Sequence, residues 1–293
     1  NMTTNLHFAY TIPGTPPCPA DQSTAEIIVT PVSVSAMPDQ TVCAGSTVAA
    51  IHFTGSPSPP TVFNWTNSNT AIGLAASGSG DIAAFTATNA TASPISATIT
   101  VAPVNGSCSD AGVSFKITVN PAPTVTATPA TMVLCGGAAT TAVAFSSNMA
   151  ATTTWVNSNP AIGLAASGTG NIPSFTAVNN GSAPISATIT TTTTANATGC
   201  AALANPPVNI TVNPQAGVVL SKIEPTTCAT ANGNINLTPS GGGPFTYTWS
   251  GPNTVNGLQN QSALPYGNYA VTVASGSGCT VTASAALVGP GGC

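Results

Sequence analysis

The hexapeptide ISATIT occurs at residues 95–100 and again at residues 185–190. In the first copy the apolar residues Ile95, Ala97 and Ile99 alternate with Ser and Thr. A two-residue period is typical of a β-strand that has one buried face and one face in water. The chain also contains 28 Gly and 26 Pro, which interrupt it every few residues, and no segment keeps a helical period. The sequence therefore predicts an all-β protein of short strands.

Each hexapeptide belongs to a much longer copy, because residues 63–100 and 153–190 align without a gap. Their central phrase, AIGLAASG, starts at Ala71 and again at Ala161, a spacing of 90 residues (161 − 71). Internal repetition at this level indicates a structural unit that has been copied whole.

The repeated phrase has a second interpretation, a ligand-binding loop used in duplicate. A phosphate-binding loop would need a third spaced glycine and a helix start behind it, and the sequence has neither. We expect instead that Ile72 and Leu74 alternate along a strand and that Gly78 and Gly80 form a tight turn before the next strand.

Short strands, frequent turns and units of about 90 residues are typical of a sandwich. The predicted fold class is an all-β tandem array of Ig-like β-sandwich domains. The order Cys…Trp…Cys holds in all three units, around Trp65, Trp155 and Trp249, and a buried Trp near a disulfide is a common core device in sandwiches. The predicted domains are 31–121, 122–214 and a distinct module at 215–293.

Residues 1–30 resemble only the last part of a unit. Cys18 lies 13 positions before Pro31, as Cys108 lies 13 positions before Pro121 (31 − 18; 121 − 108). We therefore expect this segment to hold the terminal strands of an incomplete domain, which is completed either upstream in cis or by a neighbouring subunit.

Charge is nearly absent: only 3% of residues are Asp, Glu, Lys or Arg, and the net charge is −4. With two Lys and no Arg, the chain has no basic surface for nucleic acid. Weak mutual repulsion allows copies to approach closely, which favours self-association. No apolar run is long enough to predict a membrane span.

The eight cysteines include no C-x-x-C pair, so zinc spacing is missing and disulfides in an extracellular setting are expected. Pairing within each repeat predicts the bonds Cys43–Cys108, Cys135–Cys200 and Cys228–Cys279. The spacing is 65 in both repeats (108 − 43; 200 − 135). The terminal Cys18 and Cys293 are left for a disulfide across a repeat or subunit junction.

Specific motifs resemble two families of bacterial surface proteins. VCAG, NSN, AIGLAASG and ITVNP in 31–121 and 122–214 resemble the PKD-like Ig-fold repeats of large Bacteroidetes-type surface proteins. GGGPFTYTWSG and YGNYAVTV in 215–293 resemble the SprB-like repeat of gliding-motility adhesins. The resemblance implies a secreted, surface-attached protein, exported by the type IX route and without enzymatic activity.

Chemical sites are not predicted. The six acids are scattered, and Asp81 is replaced by Asn171 in the second copy, so we expect no catalytic residues, no metal and no cofactor. The tryptophans could stack on sugars if exposed, but core positions are expected. Lys116 and Lys222 are at non-equivalent positions, which disfavours isopeptide crosslinks, and the many Asn-x-Ser/Thr matches are expected by chance in this composition.

Two functions follow from these observations. The first is a structural extracellular protein, a disulfide-stabilised rod that forms or extends a cell-surface fibre by association with copies of itself. The second is an adhesin module whose end loops bind glycans or a surface.

Overall fold

The computed structural model describes residues 4–12, 14, 21–29, 31–56, 61–106 and 108–291. The chain divides into two compact units. The first consists of Asn1–Pro123 with the short segment Ala197–Leu203, and the second of Thr124–Asn196 with Ala204–Cys293.

The first unit opens with an antiparallel hairpin of β1 (Thr4–Ile12) and β2 (Asp21–Val29). The first repeat follows, with strands β3 (Ser33–Val34), β4 (Gln40–Cys43), β5 (Thr47–Val48), β6 (Gly55–Ser56), β7 (Val62–Asn67), β8 (Ser77–Ser79), β9 (Phe85–Thr86), β10 (Ile95–Asn105), β11 (Cys108–Ser109) and β12 (Val113–Asn120). One 3-10 turn, Thr70–Ile72, lies between β7 and β8.

The main sheet of the first repeat has the order β4-β12-β10-β7-β8, with β11 paired to β10. All of its pairs are antiparallel except β4 with β12, which run in the same direction. Two small sheets, β3-β6 and β5-β9, accompany it. The order β12-β10-β7-β8 corresponds to strands G, F, C and C′ of an Ig-like sandwich.

The second unit starts with the second repeat, whose strands are β13 (Val125–Thr128), β14 (Thr131–Cys135), β15 (Ala144–Ser147), β16 (Ala151–Asn157), β17 (Ser167–Thr169), β18 (Ile185–Ala195) and β19 (Val208–Asn213). A 3-10 turn, Pro160–Ile162, precedes β17. The sheet order β14-β19-β18-β16-β17 reproduces that of the first repeat, including the parallel pair of β14 with β19.

The last module has strands β20 (Gly217–Ile223), β21 (Gly233–Ser240), β22 (Phe245–Ser250), β23 (Gln261–Leu264), β24 (Gly267–Ser275) and β25 (Thr280–Leu287). They form two three-stranded sheets, β20-β21-β23 and β22-β24-β25. Tyr269 is buried, and its hydroxyl donates to the Pro265 carbonyl at 2.7 Å.

Each repeat has its own hydrophobic core around a tryptophan. Trp65 packs with Ile99 and Ile117 in the first, Trp155 lies in the second, and Trp249 lies in the third. The alternation seen in the sequence places these side chains inside, since the strand residues between them are exposed or half-buried.

The prediction of an all-β, tandem Ig-like architecture is confirmed. The domain boundaries 31–121, 122–214 and 215–293 stay a prediction. The buried members of the three core clusters fall within those ranges.

Candidate functional site

The repeated phrase AIGLAASG forms a turn that is held by asparagine side chains. In the first copy the Asn67 Nδ2 donates to the carbonyls of Leu74 at 2.9 Å and Ala75 at 3.2 Å, and the Asn67 Oδ1 accepts from the Asn69 backbone N–H at 3.0 Å. The Asn69 Oδ1 in turn accepts from the Ala71 N–H at 3.1 Å and so caps the 3-10 turn. Every contact has its equivalent in the second copy, through Asn157 and Asn159.

The prediction of a strand through Ile72 and Leu74 is wrong. Ile72 ends the 3-10 turn, and Gly73 follows with φ +93°, a conformation that L side chains rarely adopt. Both apolar side chains are still buried, because the turn directs them into the core. The sequence therefore indicates correctly that they are core residues but not how the backbone brings them there.

The tryptophan of each repeat lies against a glycine of the same phrase. A Cβ added at Gly78 would overlap the Trp65 ring, and one at Gly168 would overlap the Trp155 ring. The three tryptophans are 5–7% exposed, so their rings are not available to stack on sugars. The Nε1 of Trp249 donates to the Leu258 carbonyl at 2.8 Å, whereas those of Trp65 and Trp155 have no hydrogen-bond partner among the described residues.

The two disulfides whose cysteines are both described each join one repeat to the next along the sequence. In the first unit Cys43, at the end of β4, is bonded to Cys200 of the segment Ala197–Leu203, with Cα atoms 5.6 Å apart. In the second unit Cys135, at the end of β14, is bonded to Cys279 between β24 and β25, with Cα atoms 5.7 Å apart.

The predicted bonds Cys43–Cys108, Cys135–Cys200 and Cys228–Cys279 are therefore wrong. Cys108 is free and exposed. Cys228 is in a disulfide, but not with Cys279. The predicted junction bond of Cys18 and Cys293 falls on two residues that lie outside the described part of the chain.

The direction of β12 explains why pairing within a repeat fails. Cys43 lies opposite Asn120, at the carboxyl end of β12, whereas Cys108 precedes Val113, at its amino end. A strand of 8 residues at about 3.3 Å per residue places these two positions more than 20 Å apart along the sheet, far beyond the roughly 7 Å limit for Cα atoms in a disulfide. The equal spacing of the cysteines in both repeats could not reveal the pairing, because bonds within a repeat and bonds to the next repeat are both compatible with that spacing.

Two pairs of charged side chains lie at the surface, His52 with Asp81 and Lys222 with Glu224. Asp81 accepts from the Phe53 backbone N–H at 2.9 Å and lies 2.6 Å from the His52 Nδ1. The hydrogen bond from Phe53, followed by that from His52, lowers the pKa of the Asp81 carboxyl.

Lys222 and Glu224 form the second pair, at 2.7 Å, and they fasten the end of β20 to the end of β25. The Lys222 Nζ donates to the Ala286 carbonyl, and the Glu224 carboxylate accepts from the Val288 N–H, each at 2.6 Å. The hydrogen bond from Lys222, then that from Val288, lowers the pKa of Glu224.

Among the described residues, no three His, Cys, Asp or Glu side chains are grouped closely enough to hold a metal ion. In the same part of the chain no helix is long and apolar enough to cross a membrane. What the described residues do bring together are asparagine-held turns and disulfides between repeats.

No protein-family model matches the chain, and no curated protein matches it in sequence. Solved structures that the chain matches include Dpr2 Ig1-Ig2 in complex with DIP-Theta Ig1-Ig3, at 10% identity and TM-score 0.32 over 89% of this chain and 100% of that one. The full ectodomain (Ig1-Ig3) of mouse nectin-like molecule 4 is similar at 12% identity and TM-score 0.33, over 88% and 99%. Sidekick-1 immunoglobulin domains 1–5 give 15% identity and TM-score 0.28, over 90% of this chain and 58% of that one.

Proposed function

We propose that the chain is a non-enzymatic, structural part of an extracellular fibre or adhesin stalk, built from PKD-like repeats and a SprB-like repeat. The observation that carries the proposal is the disulfide pattern: both bonds with described partners cross from one repeat to the next. Such bonds keep successive repeats covalently connected even if the chain between them is stretched or cut, which suits a protein that transmits force.

The composition supports an extracellular location and self-association. Disulfides persist in oxidising compartments, and a surface with 3% charged residues offers little electrostatic repulsion between copies. Solubility then depends on the Ser, Thr and Asn side chains of the outward strand faces, such as Ser96 and Thr118, whose hydroxyls are 2.9 Å apart.

A glycan- or surface-binding adhesin module is the second candidate. Aromatic rings, above all those of tryptophan, could stack on the sugars of a glycan. The three tryptophans are buried in the cores and cannot serve this role. Sugar recognition would then depend on loops or on exposed aromatic side chains such as Tyr10 and Tyr266, whereas the disulfide pattern supports the structural role directly.

Two measurements on the purified full chain separate these functions. Negative-stain electron microscopy should show elongated assemblies, and a glycan array should show no binding above background. Compact monomers that bind a defined group of glycans would reject the structural proposal in favour of the adhesin.

A further inference from the structure

The disulfides follow a fixed register from repeat to repeat. Cys43 and Cys135 hold one position, the end of the strand that runs parallel to the last strand of its own repeat. Cys200 and Cys279 hold a second position, the connection between the last two strands of a repeat. Each bond joins the strand position of one repeat to the loop position of the following repeat.

Cys108 holds the loop position of the first repeat. It lies between β10 and β12, paired opposite Asn105, just as Cys200 lies between β18 and β19. Cys200 is bonded, whereas Cys108 is a free, exposed thiol. The register assigns it a partner at the strand position of the repeat that precedes the first one.

The hairpin β1-β2 resembles the last two strands of a repeat. Its two long antiparallel strands correspond to β10 and β12, since Pro31 follows β2 as Pro121 follows β12. In both full repeats the last strand also pairs with a parallel strand that ends in Cys. In the described part of the chain β2 pairs with β1 alone, so the edge on which that strand would lie is open.

We propose that Cys108 is the loop half of a third repeat-to-repeat disulfide, whose other half is the cysteine of a further strand of the β4 and β14 type, added parallel to β2. The occupant is thus a protein strand with a defined ending: VCAG in the first repeat and LCGG in the second. The inference rests on the disulfide register and the open strand edge, and it holds whether or not the chain forms fibres.

The bond forms by oxidation of two thiols, which release two protons and two electrons to a disulfide oxidant. With glutathione disulfide as the oxidant, the Cys108 thiolate attacks one of its sulfurs and releases one glutathione thiolate. The thiolate of the added strand then attacks the Cys108 sulfur of this mixed disulfide and releases the second glutathione. The exposure of Cys108 gives both reagents access.

The test uses a synthetic peptide of residues 37–47 (MPDQTVCAGST), incubated with the full chain in a glutathione redox buffer. The control peptide carries Pro in place of Thr41, which disrupts strand pairing but keeps the thiol. Peptide mapping by mass spectrometry measures the fraction of Cys108 linked to each peptide at equilibrium. We expect the native peptide to be favoured about tenfold, because strand pairing raises the effective concentration of its thiol.

Two further measurements distinguish a strand site from a merely reactive thiol. The native peptide should protect the amides of β2 from hydrogen exchange, and the Cys108→Ser chain should form no peptide adduct at this position. Because Cys108 is exposed, the serine variant should fold normally. Equal linkage of both peptides without protection of β2 would overturn the inference. The fibre proposal would not be affected by that result, because electron microscopy tests it separately.

Discussion

At the scale of single residues, the two copies of the repeat act as internal controls for each other. Asp81 and Asn171 occupy the same position, and each accepts a hydrogen bond of 2.9 Å from a Phe backbone N–H, that of Phe53 or Phe145. Both copies therefore keep the hydrogen bond from the Phe backbone N–H, whereas only the first copy has a negative charge at this position.

Replacing Asp81 with Asn should reduce the acid sensitivity of the first repeat. The hydrogen bonds from Phe53 and His52 lower the pKa of the folded carboxyl, so its contribution to stability is fully present above the ordinary pKa of about 3.9. That contribution is lost as the pH falls through the lower, folded value. Denaturation curves between about pH 5 and about pH 2 should fall less steeply for the variant than for the natural chain, and parallel curves would contradict this account.

Replacing Gly78 with Ala should destabilise the first repeat by about 1–3 kcal/mol, the usual cost of overpacking a core. The added methyl group would overlap the buried Trp65 ring. Ser77→Ala, at the exposed neighbouring position, is the matched control and should change the unfolding free energy by less than about 0.5 kcal/mol. Urea titration followed by tryptophan fluorescence measures both, and equal stability of the two variants would show that the ring has room to move.

At the scale of strands and turns, alternation predicts the exposed and buried faces well when apolar residues mark them. The threonine run at 190–194 carries no such mark, yet it lies within β18. Its inward hydroxyls find partners: Thr193 is fully buried and lies 2.9 Å from the Thr153 hydroxyl. The 3-10 turns were not predicted, because their signal is the asparagine side chains rather than a period of apolar residues.

Replacing Asn157 with Ala should destabilise the second repeat by about 1–3 kcal/mol. The buried Asn157 Nδ2 is the donor to the carbonyls of Leu164 and Ala165, and its loss leaves buried polar groups unsatisfied. Asn64→Ala, on the exposed face of β7, serves as the control with a change below about 0.5 kcal/mol. If calorimetry found both substitutions equally mild, the asparagine would not be what holds the turn.

At the scale of the whole molecule, the disulfides are what the sequence could not settle. Repeats of equal spacing fix which cysteines are equivalent, but they leave open whether a bond stays within a repeat or reaches the next one. The deciding fact is the direction of the strands, which places Cys43 and Cys108 at opposite ends of one sheet.

Replacing Cys200 with Ser should cost about 2–5 kcal/mol of stability, as expected when a native disulfide is removed. The bond to Cys43 closes 157 residues, and the Cys200 side chain is fully buried. Cys108→Ser is the control because that thiol is free and exposed, and its unfolding midpoint should match that of the natural chain. A midpoint shift of the same size in both variants would argue against the bond to Cys43.

Digestion with trypsin tests the disulfide register most directly, since the chain has two Lys, Lys116 and Lys222, and no Arg. Complete cleavage in denaturant, with free thiols blocked, yields the fragments 1–116, 117–222 and 223–293. The bonds Cys43–Cys200 and Cys135–Cys279 predict that all three stay together as one covalent species without reductant and separate when reductant is added. Three separate fragments in the absence of reductant would show that each bond lies within its own repeat and would contradict the account.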